Sequence, residues 1–330
     1  MKNAIKKNMK TQADNHISHI FLSLIFILLI VIIISGCGRT YNTERESLEE
    51  IQKGSDGLVM EFIENVPPEE VMEGSMFQAA IRINNLGMSD VKGGYLLLGY
   101  EKEYLNLYSW RNIGSDDRIT INLDGKSLSN PEGSEKVYIA NIEARDIGIQ
   151  REKAETSFFA TTCYDYKTDA YANICVDTDP YDLKTSTKAC SAEDVSLSDQ
   201  GAPVAVTEIE YRLEVSKDMG IVKPEFKIHF SNVGEGTIIS KGKSSAACSA
   251  QALEKGDINT LQIKAHLSET ELTCKPEIVK LNEVIDYTIC TLEAGIDDGQ
   301  QSYYAPLSIT LEYGYTDSIS KTITIIKSIN

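Results

Sequence analysis

From Gly57 to the carboxyl end, the chain consists of short runs in which apolar and polar residues alternate, among them GLVMEFI, FQAAIRI, RITINL, EFKIHF, TLQIKAHL and PLSITLEYGY. Successive side chains of a β-strand point to opposite faces, so this period of two indicates strands with one buried face. Turn-forming clusters such as Pro67-Pro68 and Asn130-Pro131 separate the runs at spacings typical of antiparallel sandwiches. The sequence therefore predicts an all-β chain without long helices.

Two stretches of the chain share a phrase. In the first, an alternating run leads to Asn85-Leu86-Gly87 and then to Val91; in the second, a similar run leads to Asn232-Val233-Gly234 and then to Ile238. We expect the asparagine and glycine to form a turn that tolerates positive φ, and the aliphatic residue to begin the returning strand. This repeat predicts two tandem antiparallel β-sandwiches. A chance likeness is the alternative, because such turn phrases are common in antiparallel folds.

The changes in composition along the chain predict five segments. They are a signal peptide or membrane anchor over 1–36, a lipidated tether over 37–56, a first sandwich over 57–162, a cysteine-containing hairpin and linker over 163–200, and a second sandwich over 201–330. The tether is expected to contain a short helix, because Thr43 and Glu46 have the spacing of a capping box and Gly54 is typical of a helix end.

The amino end has the order of a secretory signal, in which charge precedes an apolar run. Four lysines come before residues 20–34, which are apolar except for Ser23, and Ile34-Ser35-Gly36-Cys37 closes the run. This tetrapeptide resembles a lipobox: a branched aliphatic residue, two small residues, and the cysteine that takes the lipid. We predict a lipidated Cys37 that anchors the chain to the outer face of the cytoplasmic membrane. An uncleaved anchor over 20–36 is the alternative, because its 17 residues approach the ~20 that span a bilayer.

The chain has seven cysteines, an awkward number for an exported protein. Lipidation of Cys37 would leave an even set for disulfides, namely Cys163, Cys175, Cys190, Cys248, Cys274 and Cys290. None of them has the CxxC spacing of a zinc or redox motif. We therefore expect six bridging cysteines and no metal.

Local geometry suggests how these cysteines pair. A hairpin folded about Asp169 would set Cys163 opposite Cys175, and a turn at Asn282 would set Cys274 opposite Cys290. Cys190 and Cys248 would then pair by elimination.

A Phe-led strand that runs into Asn-x-Gly, with a Val-led return, resembles the CARDB-type immunoglobulin-like domains of prokaryotic surface proteins. From Gly57 onward the chain is similar to uncharacterised exported lipoproteins of small-genome archaea. The similarity lies in GLVMEF at 57–62, GAPVAV at 201–206 and PLSITLEYGY at 306–315. The resemblance implies two tandem immunoglobulin-like antiparallel β-sandwiches, disulfides between them and a location on the outer surface. It implies no known activity.

Charge and motifs limit the functions of the chain. Its 49 acidic residues outnumber 32 basic ones, for a net charge of -17, so a nucleic-acid partner is not expected. Outside the signal, His229 and His266 both lie in alternating strands, and no Gly-x-Ser-x-Gly, His-Glu-x-x-His or phosphate-loop motif occurs. We therefore predict no catalytic residues, no cofactor and no enzymatic activity.

Two weaker candidates for binding sites are present. Asp177-Thr178-Asp179 with Asp182, and Asp297-Asp298-Gly299, offer the hard oxygen ligands of a loose calcium site, although the first lacks the glycine and glutamate of a calcium hand. Solvated turn residues are the alternative. An aromatic group could stack on sugars, although aromatic residues of sandwiches are more often core: Tyr95, Tyr100, Tyr104, Tyr108 and Trp110.

These observations predict a membrane-anchored extracytoplasmic surface protein that acts as a binding or structural module, in adhesion or in the assembly of surface complexes. Its expected partners are membrane lipid, through Cys37 or residues 20–36, and a surface protein or glycan. The alternative is a lipoprotein that binds a sugar or peptide for a transporter or enzyme.

Overall fold

The computed structural model of the chain describes residues 50–179, 187–216, 220–249, 253–281 and 286–328. These residues are mostly β-strand, with a short helix, α1 (Ser244–Ala247), and a helical end at residues 50–51 ahead of Gly54. Ile51–Asn330 form one compact unit. The all-β prediction is confirmed. Within the described ranges, no helix is both long enough and apolar enough to cross a membrane.

The described residues form nineteen strands: β1 (Leu58–Phe62), β2 (Glu70–Met72), β3 (Met76–Asn85), β4 (Val91–Tyr100), β5 (Leu105–Trp110), β6 (Arg118–Leu123), β7 (Glu135–Ala144), β8 (Lys153–Val176), β9 (Val195–Ser196), β10 (Val204–Ser216), β11 (Ile221–Asn232), β12 (Thr237–Ile239), β13 (Thr260–Leu267), β14 (Thr270–Glu271), β15 (Thr273–Lys275), β16 (Ile278–Lys280), β17 (Tyr287–Thr291), β18 (Ile296–Asp297) and β19 (Tyr303–Ile326).

These strands form three sheets. The first has the order β1-β3-β7-β5, and the second β15-β17-β11-β10-β9, with β18 also paired to β11. The third has the order β14-β13-β19-β8-β4-β6, with β2 and β12 on β19 and β16 on β13. Buried side chains of all three sheets belong to one hydrophobic cluster, as in a sandwich of packed layers.

Strands β8 and β19 join two parts of the chain, of which the first ends with β8 and the second ends with β19. They pair antiparallel, residue by residue, from Lys153 opposite Ile326 to Val176 opposite Tyr303. At ~3.3 Å per residue, these 24-residue strands are about 80 Å long. β4 pairs with the first half of β8, and β13 with the first half of β19. The second half of β8 therefore lies beside the half of β19 that pairs with β13. The second half of β19 lies beside the half of β8 that pairs with β4.

The boundary that we predicted between residues 162 and 163 lies inside β8, and the hairpin expected about Asp169 is not formed. The reason is visible in the burial pattern. Tyr164, Tyr166, Thr168 and Ala170 all point inward, so the alternation continues through the polar residues where we expected a turn. The segment predicted as a hairpin and linker over 163–200 thus begins as the second half of a strand.

The two copies of the repeated phrase make equivalent contacts. The side-chain amide of Asn85 donates a hydrogen bond to the carbonyl oxygen of Ser89, four residues on, at 2.8 Å. The amide of Asn232 donates to the carbonyl oxygen of Gly236 at the same spacing and distance. The turns between β3 and β4 and between β11 and β12 are therefore built alike, which supports an internal repeat.

A buried tyrosine from the long ladder closes each of these turns. The hydroxyl of Tyr166 donates to the side-chain oxygen of Asn85 at 3.3 Å, and the hydroxyl of Tyr315 donates to that of Asn232 at 3.1 Å. A Cβ on the repeated glycine would lie 2.1 Å from the first hydroxyl (Gly87) or 2.5 Å from the second (Gly234). Neither glycine has positive φ. The expectation of a positive-φ turn is wrong, and these glycines are required for the close approach of a phenol.

The six cysteines form three disulfides: Cys163–Cys248, Cys175–Cys190 and Cys274–Cys290. The predicted pairing of Cys274 with Cys290 is confirmed, and the two residues are directly opposite in β15 and β17. The other two predicted pairings are wrong. Because β8 does not turn back, Cys163 and Cys175 lie twelve residues apart on one strand, about 40 Å, and each reaches a different later segment.

Candidate binding cleft

A cleft of about 620 Å³ lies beside the unpaired edge of β8. β8 pairs with β19 along its whole length, but with β4 only between Phe158 and Cys163. Beyond Cys163, no strand within the described ranges pairs with the second edge of β8, and no backbone hydrogen bond from those ranges reaches it. The cleft extends from this edge over the outward face of β8, as far as Glu312 on β19.

Between Asp165 and Tyr171, every second side chain of β8 lines the cleft, and Tyr166 also reaches it. Asp165 is exposed and accepts a hydrogen bond from the Gly242 N–H at 3.0 Å. The Lys167 ammonium lies 2.6 Å from the Asp169 carboxylate, and this hydrogen bond raises the pKa of Lys167. Tyr171 is 66% exposed. Along the strand, these four residues present an acidic, a basic, an acidic and an aromatic side chain in that order.

The turn before β4 closes one end of the cleft. The N–H of Ser89 donates to the Tyr166 hydroxyl at 3.2 Å, which fixes the turn to β8. The Asp90 carboxylate accepts from the Gly125 N–H at 3.0 Å and lies 2.9 Å from the Lys92 ammonium. The hydrogen bond from Gly125, followed by that from Lys92, lowers the pKa of Asp90. This end of the cleft is therefore held in place by the fold.

Gln52, Met88, Gln200 and Glu312 also line the cleft. Gln200 is buried and is fixed on both sides, because its amide donates to the Val206 carbonyl at 2.7 Å and accepts from the Val206 N–H at 2.8 Å. Glu312, on β19, lies 2.6 Å from the Lys241 ammonium and 3.1 Å from the Lys264 ammonium. Most side chains that line the cleft are thus polar, and contacts within the molecule already hold Gln200 and Glu312 in place. The charged residues of β8 lie at every second position of the strand.

A separate polar group lies on β10 and β11, where Glu208, Glu210 and His229 bring three ligand atoms within 4.8 Å of one another. The Glu210 carboxylate lies 2.6 Å from Lys227, 2.9 Å from Arg212 and 2.7 Å from His229. Hydrogen bonds from Lys227, His229 and Arg212 lower the pKa of Glu210 to about 2. Because two cationic side chains already bind this carboxylate, a metal ion would have to displace them.

The loops that we considered for calcium make internal contacts. The Asp177 carboxylate is buried and lies 2.9 Å from the Lys188 ammonium, and it also accepts from the Asp179 N–H at 2.9 Å. Asp182 lies outside the described residues. The Asp297 carboxylate accepts from the Gly299 N–H at 2.7 Å. These contacts are those of a buried ion pair and of a tight turn.

The five aromatic residues do not form a shared platform. Trp110 is 2% exposed and donates its indole N–H to the Asp116 carbonyl, so it belongs to the core. The guanidinium carbon of Arg118 lies over the ring of Tyr95, 4.5 Å from the centre of that ring, whereas Tyr108 is 66% exposed. The sequence showed the aromatic residues but not how they divide between core and surface.

Sequence reasoning missed the cleft residues of β8. Lys167-Thr168-Asp169 looked like a polar turn, and only the aromatic and aliphatic residues on either side signalled a continuous strand. Cys37 lies outside the described residues, so its lipidation stays a prediction.

No family model matches the chain, and no curated protein matches it. Among solved structures, a DUF4466 family protein from Parabacteroides merdae aligns at 11% identity over 78% of this chain and 99% of that chain, with a TM-score of 0.16. The B domain of a biofilm-associated protein aligns at 9% identity over 78% of this chain and 72% of that chain, also at 0.16. Scores this low do not indicate a shared fold.

Proposed function

We propose that this chain is a membrane-anchored extracytoplasmic surface protein that binds a partner in the cleft beside β8, as a module of a surface complex. The anchor is lipid on Cys37 or the apolar run at 20–36. The observation that carries the proposal is that all six cysteines after Cys37 are joined in disulfides. Disulfides persist in oxidising compartments and are rare in the cytosol, so this pairing supports an extracytoplasmic location.

The cleft supports a binding role. It is bordered by an edge of β8 that pairs with no strand of the described residues, and its charged side chains are held by hydrogen bonds before any ligand arrives. Preformed polar groups reduce the ordering cost of association. With a net charge of -17, the molecule is better suited to a protein partner than to a polyanion.

The location can be tested by labelling intact cells with a membrane-impermeant biotin reagent. We expect the full chain to be labelled and to remain with the membranes, and we expect Cys37→Ser to pass into the soluble extracytoplasmic fraction or to remain only through an uncleaved 20–36 anchor. Labelling that requires cell lysis would contradict the proposal.

The volume of the cleft also favours the second function that we considered, delivery of a small ligand, since ligand sites commonly occupy ~300–1,000 Å³. A glycan array and capture of surface proteins on the immobilised chain distinguish the two. Lys167→Glu with Asp165→Lys alters the cleft, and Lys153→Glu with Glu155→Lys is a matched swap outside it on the same strand. Retention of a surface protein that only the cleft variant loses supports the surface-complex module.

A further inference from the structure

We propose that the open edge of β8 from Asp165 to Tyr171 binds an extended segment of a partner protein as an additional antiparallel strand. This inference rests on the proposed function, because it assigns a partner class to the same cleft. Strand addition to an exposed sheet edge gives affinity through backbone hydrogen bonds and specificity through alternate side chains.

The backbone supplies the first part of the argument. In a strand, alternate residues direct both their N–H and C=O groups to the same edge, and β19 uses only one edge of β8. β4 uses the other edge as far as Cys163. The residues of β4 before Tyr95, which follow the turn at Ser89 and Asp90, pair with β6 and not with β8. A ligand strand would therefore continue the row of β4, in the same direction, along about seven residues of β8.

The side chains supply the second part. Asp165, Lys167, Asp169 and Tyr171 share the outward face, so an added strand would place one of its own side chains opposite each of them. Opposite charges in such cross-strand positions are favourable, and like charges are unfavourable. The fitting partner carries a basic residue opposite Asp165 and Asp169, an acidic residue opposite Lys167, and an apolar residue opposite Tyr171.

A second copy of the chain fits this edge less well. Charged side chains along an edge strand oppose pairing between copies of a sheet. β8 is also a continuous strand of 24 residues, and if the β8 of a second copy were placed in the row of β4 it would meet the turn that carries Asp90 and Lys92. A short flexible segment can turn away at that point, whereas a continuous strand cannot.

The test uses the full chain in detergent and a fluorescent nine-residue peptide, Thr-Ile-Val-Lys-Val-Glu-Val-Lys-Thr, measured by anisotropy. Its antiparallel register sets isoleucine opposite Tyr171 and the two lysines opposite Asp169 and Asp165. We expect saturable binding, and at least a tenfold loss when the bonding edge of the peptide backbone is N-methylated. Equal binding of the N-methylated peptide would overturn strand pairing while leaving the cleft as a binding site.

A charge swap tests the register. We expect the variant Asp165→Lys with Lys167→Glu to bind the first peptide about tenfold more weakly than the unchanged chain does. The same variant should bind Thr-Ile-Val-Lys-Val-Lys-Val-Glu-Thr more tightly, because the opposing charges are exchanged in that peptide. Lys153→Glu with Glu155→Lys, the same swap at the start of β8, should leave both affinities unchanged. An unchanged affinity in the cleft variant would overturn the proposal.

Two further outcomes separate this proposal from the proposed function. If the peptide does not bind, but the cleft variant still abolishes capture of a surface protein, strand addition is wrong and the binding module stands. If sedimentation shows a dimer of the chain that only the cleft variant dissociates, the occupant is a second copy, and the partner segment is wrong.

Discussion

Four tyrosines fill the middle of the β8–β19 ladder, where Tyr164 lies opposite Tyr315 and Tyr166 opposite Tyr313. All four are nearly inaccessible to solvent, and neighbouring rings are 5.5 to 6.4 Å apart between centres. Their hydroxyls are used: the Tyr164 oxygen accepts from the Leu58 N–H at 3.0 Å, as expected for phenols in a core. This cluster links the two parts of the molecule through polar contacts as well as packing.

The tyrosine cluster predicts loss of stability in alkali. Burial raises the pKa of Tyr315 to about 12, and that of Tyr164 and Tyr313 well above the ordinary value of 10.0. Above about pH 10 the unfolded tyrosines lose their protons while the folded ones keep them, so the free energy of unfolding should fall as pH rises. Urea unfolding at several pH values measures this slope. Tyr313→Phe should flatten it and Tyr108→Phe, at an exposed site, should not; equal slopes would contradict the prediction.

The asparagines of the repeat differ in how deeply they are buried. Asn85 is fully buried, and its amide donates to the carbonyl oxygens of Ser89 and Leu123, whereas Asn232 is exposed. We expect Asn85→Ala to lower the free energy of unfolding by about 3 kcal/mol, because buried partners lose their hydrogen bonds, and Asn232→Ala by about 1 kcal/mol. Chemical denaturation measures both. Equal losses would show that burial does not set the cost.

At the level of elements, the period of two identified most strands, including β3, β6, β11 and β13, because each has one face in the core. It failed in the middle of β8, where Lys167-Thr168-Asp169 resembles a turn by composition. Local sequence cannot show that β19 pairs with this stretch from more than a hundred residues away. The same long-range pairing decides which cysteines meet, so only the local bridge of Cys274 and Cys290 could be predicted.

The disulfides differ in the length of chain that they close. Cys163–Cys248 spans 85 residues and Cys175–Cys190 spans 15. In the chain-entropy account, the longer loop stabilises by about 4 to 5 kcal/mol and the shorter by about 3 kcal/mol. We therefore expect the double serine variant of the first pair to lose more stability in urea unfolding than that of the second. A larger loss for the short loop would contradict the entropic ranking.

For the whole molecule, the repeat predicted two sandwiches, and the structure shows why the parts cannot be divided at residue 162. The third sheet draws strands from both parts, and one hydrophobic cluster includes residues of both. The cleft depends on the same arrangement, because it lies where β8 has left its own part and β4 no longer covers it. No local pattern carries that information.

Shared strands also predict cooperative unfolding. Because Ile51–Asn330 form one compact unit joined by the β8–β19 ladder, calorimetry should show one transition for this region, with equal calorimetric and van't Hoff enthalpies. Two resolved transitions, with one abolished by a variant in β3 and the other by a variant in β11, would show independent domains.

We propose that the chain is oxidised and is held outside the cytoplasm by its amino end. The most direct test of this proposal is thiol alkylation of the protein isolated from cell membranes and unfolded without reductant, followed by mass spectrometry of its peptides. We predict no alkylation at the six cysteines before reduction, alkylation of all six after it, a linked Cys163–Cys248 peptide, and lipid on Cys37. Free thiols at these positions, in protein recovered from the cytosol, would contradict the account.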